Sequence, residues 1–161
     1  MISPAMMSSV LTEYFTPEEV LKLVRATAAD GVIGLDPCTS PDNPCKARDA
    51  WTITHNGLTQ SWADLGLVYV NPPYGASLGA WALKIRDEAA KGAEIIACLP
   101  ARTDTAWFRI SVAKADAVCF WWGRIKFSGS ANSAPFPSVF AYFGDRAKAF
   151  RRAFEGRGWI P

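Results

Sequence analysis

The sequence is poor in the residue types that build most metal centres and cross-linked folds. Its 161 residues include one histidine, His55, and four cysteines, Cys38, Cys45, Cys98 and Cys119, with no CxxC spacing among them. Two of these cysteines lie inside apolar runs, so we do not expect a zinc site. We expect the four thiols to be reduced. The sequence therefore favours a chemistry that needs no metal.

Long apolar runs and a strong excess of either charge are also missing. Lys and Arg total 17, Asp and Glu total 15, and the formal net charge is +2. Any contact with nucleic acid must therefore come from local basic patches rather than from a general positive field. No run reaches the length of a membrane span, and the N-terminus lacks a basic start followed by an apolar signal core. We expect a cytoplasmic protein without membrane contacts.

Apolar material, by contrast, is sufficient for one core. Half of the residues are hydrophobic and 12% are aromatic, which suits one domain over residues 1–161. Runs of strand length alternate with helical patterns, and this alternation predicts an α/β fold. The predicted strands are 32–35, 67–70, 94–99, 117–122, 124–127 and 138–143, with an antiparallel pairing of the last two. The first predicted helix begins at Thr16-Pro17, where Thr16 caps and Glu19 completes a capping box. Three further helices are predicted over 77–91, 104–115 and 146–156.

Polar residues follow each of the first three predicted strands. Asp36 ends the first strand, Asn71 ends the second, and Pro100 opens the polar stretch after the third. If these strands are parallel, their carboxyl ends share one edge, where open α/β sheets bind ligands. Read alone, "NPPYG" is an ordinary way to end a strand. Three polar loops at one edge favour a functional interpretation of Asn71.

Seven motifs in a fixed order carry a resemblance to a known family. They are "YFTPEE", "LDPCTSPDN", "LTQSW", "YVNPPYG", "LPARTDTAWF", "GRIKF" and "APFPSVFAYF". This set resembles the phage-type DNA N6-adenine methyltransferases, which are Dam-like, over about residues 14–143. The resemblance implies a Rossmann-like, S-adenosylmethionine-dependent methyltransferase fold. Its sheet is expected to be mostly parallel with an antiparallel C-terminal hairpin, and a separate target-recognition domain is not expected.

The resemblance also implies an activity, a cosubstrate and a partner. The activity is transfer of the methyl group of S-adenosylmethionine to the exocyclic amine of a flipped-out adenine in DNA, without metal. The expected location is the cytoplasm of a bacterium or of a phage-infected cell, and the expected state is a monomer, with a weak dimer as the alternative. "NPPY" is shared with methyltransferases of protein glutamine and of RNA, so those substrates stay open, as does a catalytically inactive DNA-binding relative.

The chemistry of this transfer independently calls for residues such as those in "NPPY". The lone pair of the exocyclic amine is delocalised into the adenine ring, so a catalyst must hold both N–H groups in hydrogen bonds that favour a tetrahedral nitrogen. The side-chain oxygen of Asn71 can accept one bond and the carbonyl of Pro72 the other. Tyr74 offers a ring on which the flipped base can stack. The expected catalytic set is Asn71, Pro72, Pro73 and Tyr74.

A cofactor site is expected at the first strand end. Asp36 is chosen to pair with the methionine amine, and Thr16-Pro17 resembles the family's helix-start motif near the methionine carboxylate, although Thr16 can equally be a simple cap. The loop after Asp36 lacks Gly-x-Gly, and we expect the segment up to Asn71 to be irregular. Asp42 or Asn43 either reaches the ribose or stabilises a turn. The expected cofactor contacts are Thr16, Pro17, Asp36, Pro37, Cys38 and Asn71.

Basic residues near the later strand ends are candidates for DNA contacts. Arg102 can hold a phosphate, while Asp104 beside it is expected to cap the next helix. Arg124 and Lys126 form a basic patch that can follow the DNA backbone, or alternatively a solvated hairpin edge. The expected DNA contacts are Tyr74, Arg102, Arg124 and Lys126.

Overall fold

A computed structural model describes residues 15–128 and 132–161, and their strands form one sheet. Along the chain these strands are β1 (Leu35–Asp36), β2 (Asp49–Ala50), β3 (Val68–Val70), β4 (Ile95–Pro100), β5 (Ala117–Trp121), β6 (Ser138–Phe143) and β7 (Gly158–Trp159). Their order in the sheet is β2-β1-β3-β4-β6-β5-β7. The first four pair in parallel, whereas β6 is antiparallel to β4 and β5, and β7 is antiparallel to β5. Strands β1 to β5 thus run in one direction, which confirms the predicted α/β class and the mostly parallel sheet.

Helices cover both faces of this sheet. The α-helices of the described residues are α1 (Glu18–Thr27), α2 (Leu78–Ala90), α3 (Ala106–Ile110) and α4 (Ala147–Ala153). Apolar side chains of α1 and α4 pack with Tyr69, whereas those of α2 and α3 pack with Val68 and Val70. Because alternate residues of a strand point to opposite faces, the short apolar run of β3 supplies both cores. Within the described part of the chain, no helix is long and apolar enough to cross a membrane.

Helix α1 begins without the capping box that the sequence predicts. Pro17 is the N-cap residue rather than the first helical residue, and no side chain caps this helix terminus. The hydroxyl oxygen of Thr16 lies 2.7 Å from that of the buried Tyr69. The prediction that Thr16 and Glu19 cap α1 is therefore wrong, because the Thr16 hydroxyl is engaged by the sheet instead.

The predicted strand at 124–127 is also wrong, and so is the antiparallel hairpin that it was to form with β6. Strand β5 ends at Trp121, and Gly123 takes a φ of +71°, which turns the chain out of the sheet. The alternation in this segment reflects Ile125 and Phe127, which are both buried in the core while the backbone follows an irregular path. The antiparallel partners of β6 are β4 and β5.

The segment between β1 and β3 is mostly irregular, as the sequence predicts. Apart from β2 it consists of turns, and four of its non-glycine residues, Asn43, Lys46, Asn56 and Asp64, have positive φ angles. Its backbone is tied to β1, where the Trp51 N–H donates to the Asp36 carbonyl. These turns form one wall of the cavity described next.

Candidate active site

The carboxyl ends of β1, β3 and β4 meet at one edge of the sheet. Strand β3 pairs in parallel with both β1 and β4, so Asp36, Asn71 and Pro100 all lie at this edge. Neighbouring strands are about 4.8 Å apart, which brings the β1 and β3 ends within reach of one small molecule. The predicted convergence of three polar loops is confirmed.

A cavity of about 340 Å³ opens at this edge. Seven of the predicted site residues line it: Thr16, Asp36, Pro37, Cys38, Asn71, Pro72 and Pro73. Ile53, Leu58 and Trp81 add apolar surface to its walls. The volume and the combination of apolar walls with a few polar groups are typical of small-molecule sites. Pro17, Tyr74, Arg102, Arg124 and Lys126 are not part of the lining.

Asp36 is the buried carboxyl group of this cavity. Its side chain is 5% exposed, and burial raises its pKa to about 6, against the opposing effect of hydrogen bonds from the Cys45 thiol and the Cys38 N–H. The Cys38 N–H lies 3.2 Å from the carboxyl Oδ1. A carboxylate that is costly to ionise in isolation gains from a cationic ligand. The arrangement suits a protonated amine.

The Asn71 amide is held at both of its ends. Its Nδ2 donates to the Thr16 hydroxyl oxygen at 3.3 Å, and its Oδ1 accepts from the Tyr74 hydroxyl at 2.8 Å. The Cys38 thiol lies 3.5 Å from the Asn71 carbonyl oxygen and links the two loops. Oδ1 is thus the acceptor end of this amide and Nδ2 is its donor end.

Tyr74 is half-buried and packs inward rather than along the cavity. Its ring meets Phe136 edge-on with centroids 5.0 Å apart, and its hydroxyl also lies 3.3 Å from the Cys98 carbonyl oxygen. Stacking of a flipped base on Tyr74 stays a prediction. The hydroxyl contact to Asn71 was not foreseen from the sequence.

Seven of the nine catalytic and cofactor residues predicted from the sequence thus share one cavity at one sheet edge, whereas Pro17 and Tyr74 lie outside its lining. A family model described as DNA N-6-adenine-methyltransferase (Dam) matches residues 6–141. The chain belongs to this family. Its match runs from before α1 into β6 and includes every residue that lines the cavity. A search of curated proteins found no match.

The basic residues that the sequence predicts for DNA contact in this Dam-family chain lie outside the cavity. Arg102, Arg124 and Lys126 are all exposed. Arg102 follows β4 and Arg124 follows β5, and these two strands run in the same direction. Both arginines therefore lie at the carboxyl edge, on the side of the cavity away from β1.

Three further predictions concerned turns of the Dam-family chain. Asp104 does not cap α3, because Thr105 is the N-cap and its hydroxyl oxygen accepts the Phe108 N–H. Asn43 bonds within its own turn, with its amide nitrogen donating to the Ala47 carbonyl and its amide oxygen accepting the Ala47 N–H. Neither Asp42 nor Asn43 lines the cavity. For Asn43 the turn alternative is the one that the geometry supports.

Sequence reasoning missed several residues of the Dam-family cavity. Ile53 is 86% exposed although it lines the cavity, and Leu58 lies in the same loop. Trp81 of α2 lines the cavity as well. Tyr69 has the sequence pattern of a core residue. The one sign of another role is its hydroxyl group within an otherwise apolar strand. That hydroxyl is connected to Thr16.

The cysteines of the Dam-family chain are free thiols rather than a cluster of metal ligands. Burial raises the pKa of Cys38, and that of Cys98 to about 12, so these groups remain protonated at neutral pH. Within residues 15–128 and 132–161, no group of three or more His, Cys, Asp or Glu side chains could hold a metal ion. Near the cavity the thiols act as packing groups and weak donors.

Proposed function

We propose that this protein is a DNA adenine N6-methyltransferase that uses S-adenosylmethionine as methyl donor on a Rossmann-like fold. One observation carries the proposal: Asp36 and Asn71, at the ends of two neighbouring parallel strands, line the same cavity. An anionic group for a cationic amine thus lies beside an amide acceptor for an exocyclic amine. The family match supports adenine in DNA as the substrate.

The cavity fits the methyl donor. Asp36 would bind the methionine amine, because an ionised carboxylate within a mostly apolar wall makes a strong charge-assisted bond. Thr16, beside the N-terminus of α1, would hold the methionine carboxylate. Ile53, Leu58 and Trp81 give the adenosine an apolar surface. The sulfonium supplies an activated methyl group, so the remaining tasks of the protein are positioning and exclusion of water.

Asn71 and Pro72 would act on the amine of the target base. Asn71 Oδ1, which accepts from Tyr74, would also accept one N–H of adenine, and the Pro72 carbonyl would accept the second. As the nitrogen becomes tetrahedral, its lone pair forms the bond to the methyl carbon. The bond between carbon and sulfur breaks, sulfur keeps the electron pair, and one proton of the amine is released to water. Acceptors held in place before the reaction stabilise the charge that develops on the amine.

DNA would approach over the exposed carboxyl edge. Arg102, Arg124 and Lys126 can neutralise phosphates there while the target base leaves the duplex for the cavity. Specific readers bury more than about 1,000 Å² of protein, whereas the contacts proposed here are three basic side chains that bind phosphates rather than base edges. We therefore expect methylation in a short or degenerate sequence context.

The test is transfer of labelled methyl groups to unmethylated DNA, RNA and protein in parallel. We expect label in DNA alone, as N6-methyladenine, and sequencing of methylated plasmid reads the context. Label in RNA or protein would instead support those alternative substrates. DNA retention without transfer by the wild type would identify a catalytically inactive relative.

A further inference from the structure

The hydroxyl group of Tyr69 has no task in the mechanism proposed above, yet it is connected to the catalytic amide. Tyr69 is fully buried in β3, and its hydroxyl oxygen lies 2.7 Å from Thr16 Oγ1. Thr16 Oγ1 in turn accepts from Asn71 Nδ2 at 3.3 Å. A continuous path of hydrogen bonds therefore leads from the sheet core to Asn71.

The orientation of the Asn71 amide decides whether it can assist the reaction. With Nδ2 toward Thr16, Oδ1 lies on the other side and can accept an N–H of adenine. A rotation of the amide by 180° would bring an N–H donor against the amine, which is also a donor. The Tyr74 hydroxyl supports this orientation by donating to Oδ1, and Thr16 supports it only while its hydroxyl accepts from Asn71 rather than donating to it.

In the arrangement proposed below, Tyr69 is the donor to Thr16. The two hydroxyl oxygens lie at the distance of a good O–H···O bond in which either group can donate, and Thr16 is free to accept from Asn71 as well when Tyr69 is the donor. With one lone pair of Oγ1 taken by Tyr69 and the other by Asn71, the Thr16 proton is left for the cavity that Thr16 lines. A bound carboxylate there would accept a hydrogen bond from the Thr16 hydroxyl and fix the whole arrangement.

We propose that Tyr69 is a positioning residue whose hydroxyl, acting through Thr16, sets the amide of Asn71 in its catalytic orientation. This inference rests on the proposed function and adds a residue outside the cavity lining to it. It also couples the two halves of the site, because an anion that binds Thr16 stabilises the amide that receives the adenine.

The chain offers a matched control in Tyr142. This tyrosine is equally buried on the same face of the sheet, where Ile96 of β4 is the pairing partner of both tyrosines. Its hydroxyl donates to Glu94 and accepts the Arg146 N–H, away from the cavity. Tyr69→Phe and Tyr142→Phe thus remove the same atom from comparable surroundings.

The first measurement is single-turnover methylation of DNA, with affinity for S-adenosylmethionine determined separately. We expect Tyr69→Phe to lower the rate about threefold to tenfold, the effect of one neutral hydrogen bond, with cosubstrate affinity nearly unchanged. Tyr142→Phe should keep the wild-type rate. Thr16→Ser should retain most of the rate, and Thr16→Val should lose it. Equal rates for the two tyrosine variants would overturn the proposal.

The second measurement does not depend on activity. In protein labelled with ¹⁵N-asparagine, the side-chain amide of Asn71 is assigned by its absence in Asn71→Ala. Its protons should exchange with water faster in Tyr69→Phe than in the wild type or in Tyr142→Phe. A wild type that methylates no DNA would refute the proposed function, and this exchange rate would still decide the role of Tyr69. An unchanged exchange rate in Tyr69→Phe would overturn it.

Discussion

The amino and carboxyl edges of the sheet contain similar side chains in different surroundings. Each edge has a buried tyrosine hydroxyl, a nearby carboxyl group and a cavity. At the amino edge, the Tyr142 hydroxyl donates to Glu94 at 2.7 Å, and Asp116 accepts the Gly144 N–H at 2.8 Å. At the carboxyl edge, Asp36 is buried in the cavity wall, where burial raises its pKa to about 6.

This difference separates groups that stabilise the fold from groups that can bind a ligand. The amino-edge cavity, at about 640 Å³, is the larger of the two, yet carboxylates on its wall are bound to neighbouring protein groups. The carboxyl-edge cavity is smaller but has the buried carboxyl group of Asp36, with its raised pKa, and the Asn71 amide in the same lining. The proposed site therefore rests on the chemistry of its lining rather than on its volume.

The largest expected effect follows from removing the amide at the carboxyl edge. Asn71→Ala should lower kcat by about 10²-fold to 10³-fold, the usual result of losing one preorganised polar group that acts in the transition state. Affinity for S-adenosylmethionine should change little. Single-turnover methylation and calorimetry on the same preparation test both statements.

The control for this variant is another asparagine. Asn43→Ala removes an amide whose hydrogen bonds, described above, join it to Ala47 in the same turn. This variant should lower the melting temperature and keep the turnover of folded protein. If "NPPYG" merely ends a strand, Asn71→Ala will behave like Asn43→Ala. A folded and fully active Asn71→Ala would refute the catalytic assignment.

The next effect in size concerns the cosubstrate. Asp36→Ala should weaken binding of S-adenosylmethionine by about 1.5–3 kcal/mol, or about tenfold to 150-fold, the scale of a lost charge-assisted hydrogen bond. Calorimetry measures this directly. Unchanged affinity would remove Asp36 from the site.

The pKa of Asp36 adds a pH dependence with a definite sign. Its folded-state pKa is raised to about 6, so below that pH the carboxyl group is mostly protonated and must release a proton before it can bind a cation. Affinity should therefore be nearly constant between about pH 6.5 and 7.5, below the α-amino pKa of about 7.7–8.0 of the ligand, and should fall by up to about tenfold for each pH unit below 6. Asp36→Asn should bind weakly without this dependence in the same titration.

Near the C-terminus of α2, away from the cavity, a buried carboxylate is expected to affect the free energy of unfolding but not the activity. Glu88 is fully buried, and although burial raises its pKa, bonds from Lys84, the Trp62 N–H and Lys91 lower it to about 2. This stabilisation is complete above the unfolded pKa of 4.5 and is lost as the pH falls toward 2. Glu88→Gln should cost about 1.5–3 kcal/mol at pH 7 and much less near pH 2, with turnover per folded molecule unchanged.

Denaturant unfolding at both pH values measures this effect. The matched control is Glu18→Gln, which removes an exposed ion pair with Arg25 and should change stability by less than about 1 kcal/mol. A loss for Glu88→Gln that is equal at the two pH values would contradict the assigned pKa direction.

The sequence predicted the strand ends and the cavity better than the local hydrogen bonds. Asp36 and Asn71 could be placed because parallel strands bring their carboxyl ends together, whatever the loops do. The predictions that Thr16 and Asp104 cap helices are wrong. A hydroxyl or carboxyl group near a helix start can bond to the helix backbone or to a distant side chain, and the sequence alone does not distinguish the two. Tertiary contacts decided between them: Tyr69 engages Thr16, and Thr105 caps α3. The sequence predicts a strand that contains Ile125 and Phe127 because apolar and polar residues alternate there. An irregular segment that buries every second side chain shows the same alternation.

The smallest expected effect is that of Tyr74→Phe, compared with Tyr74→Ala. Loss of the ring in Tyr74→Ala should weaken DNA binding and raise KM, because base stacking acts in the ground state as well as in the transition state. Tyr74→Phe removes only the hydroxyl that donates to Asn71 Oδ1, while Thr16 still holds the amide by its nitrogen. Its kcat and KM should therefore stay within about threefold of the wild type, the lower range for one neutral hydrogen bond. Steady-state kinetics on both variants tests this, and a Tyr74→Phe defect as large as that of Tyr74→Ala would assign the role of this residue to its hydroxyl rather than to its ring.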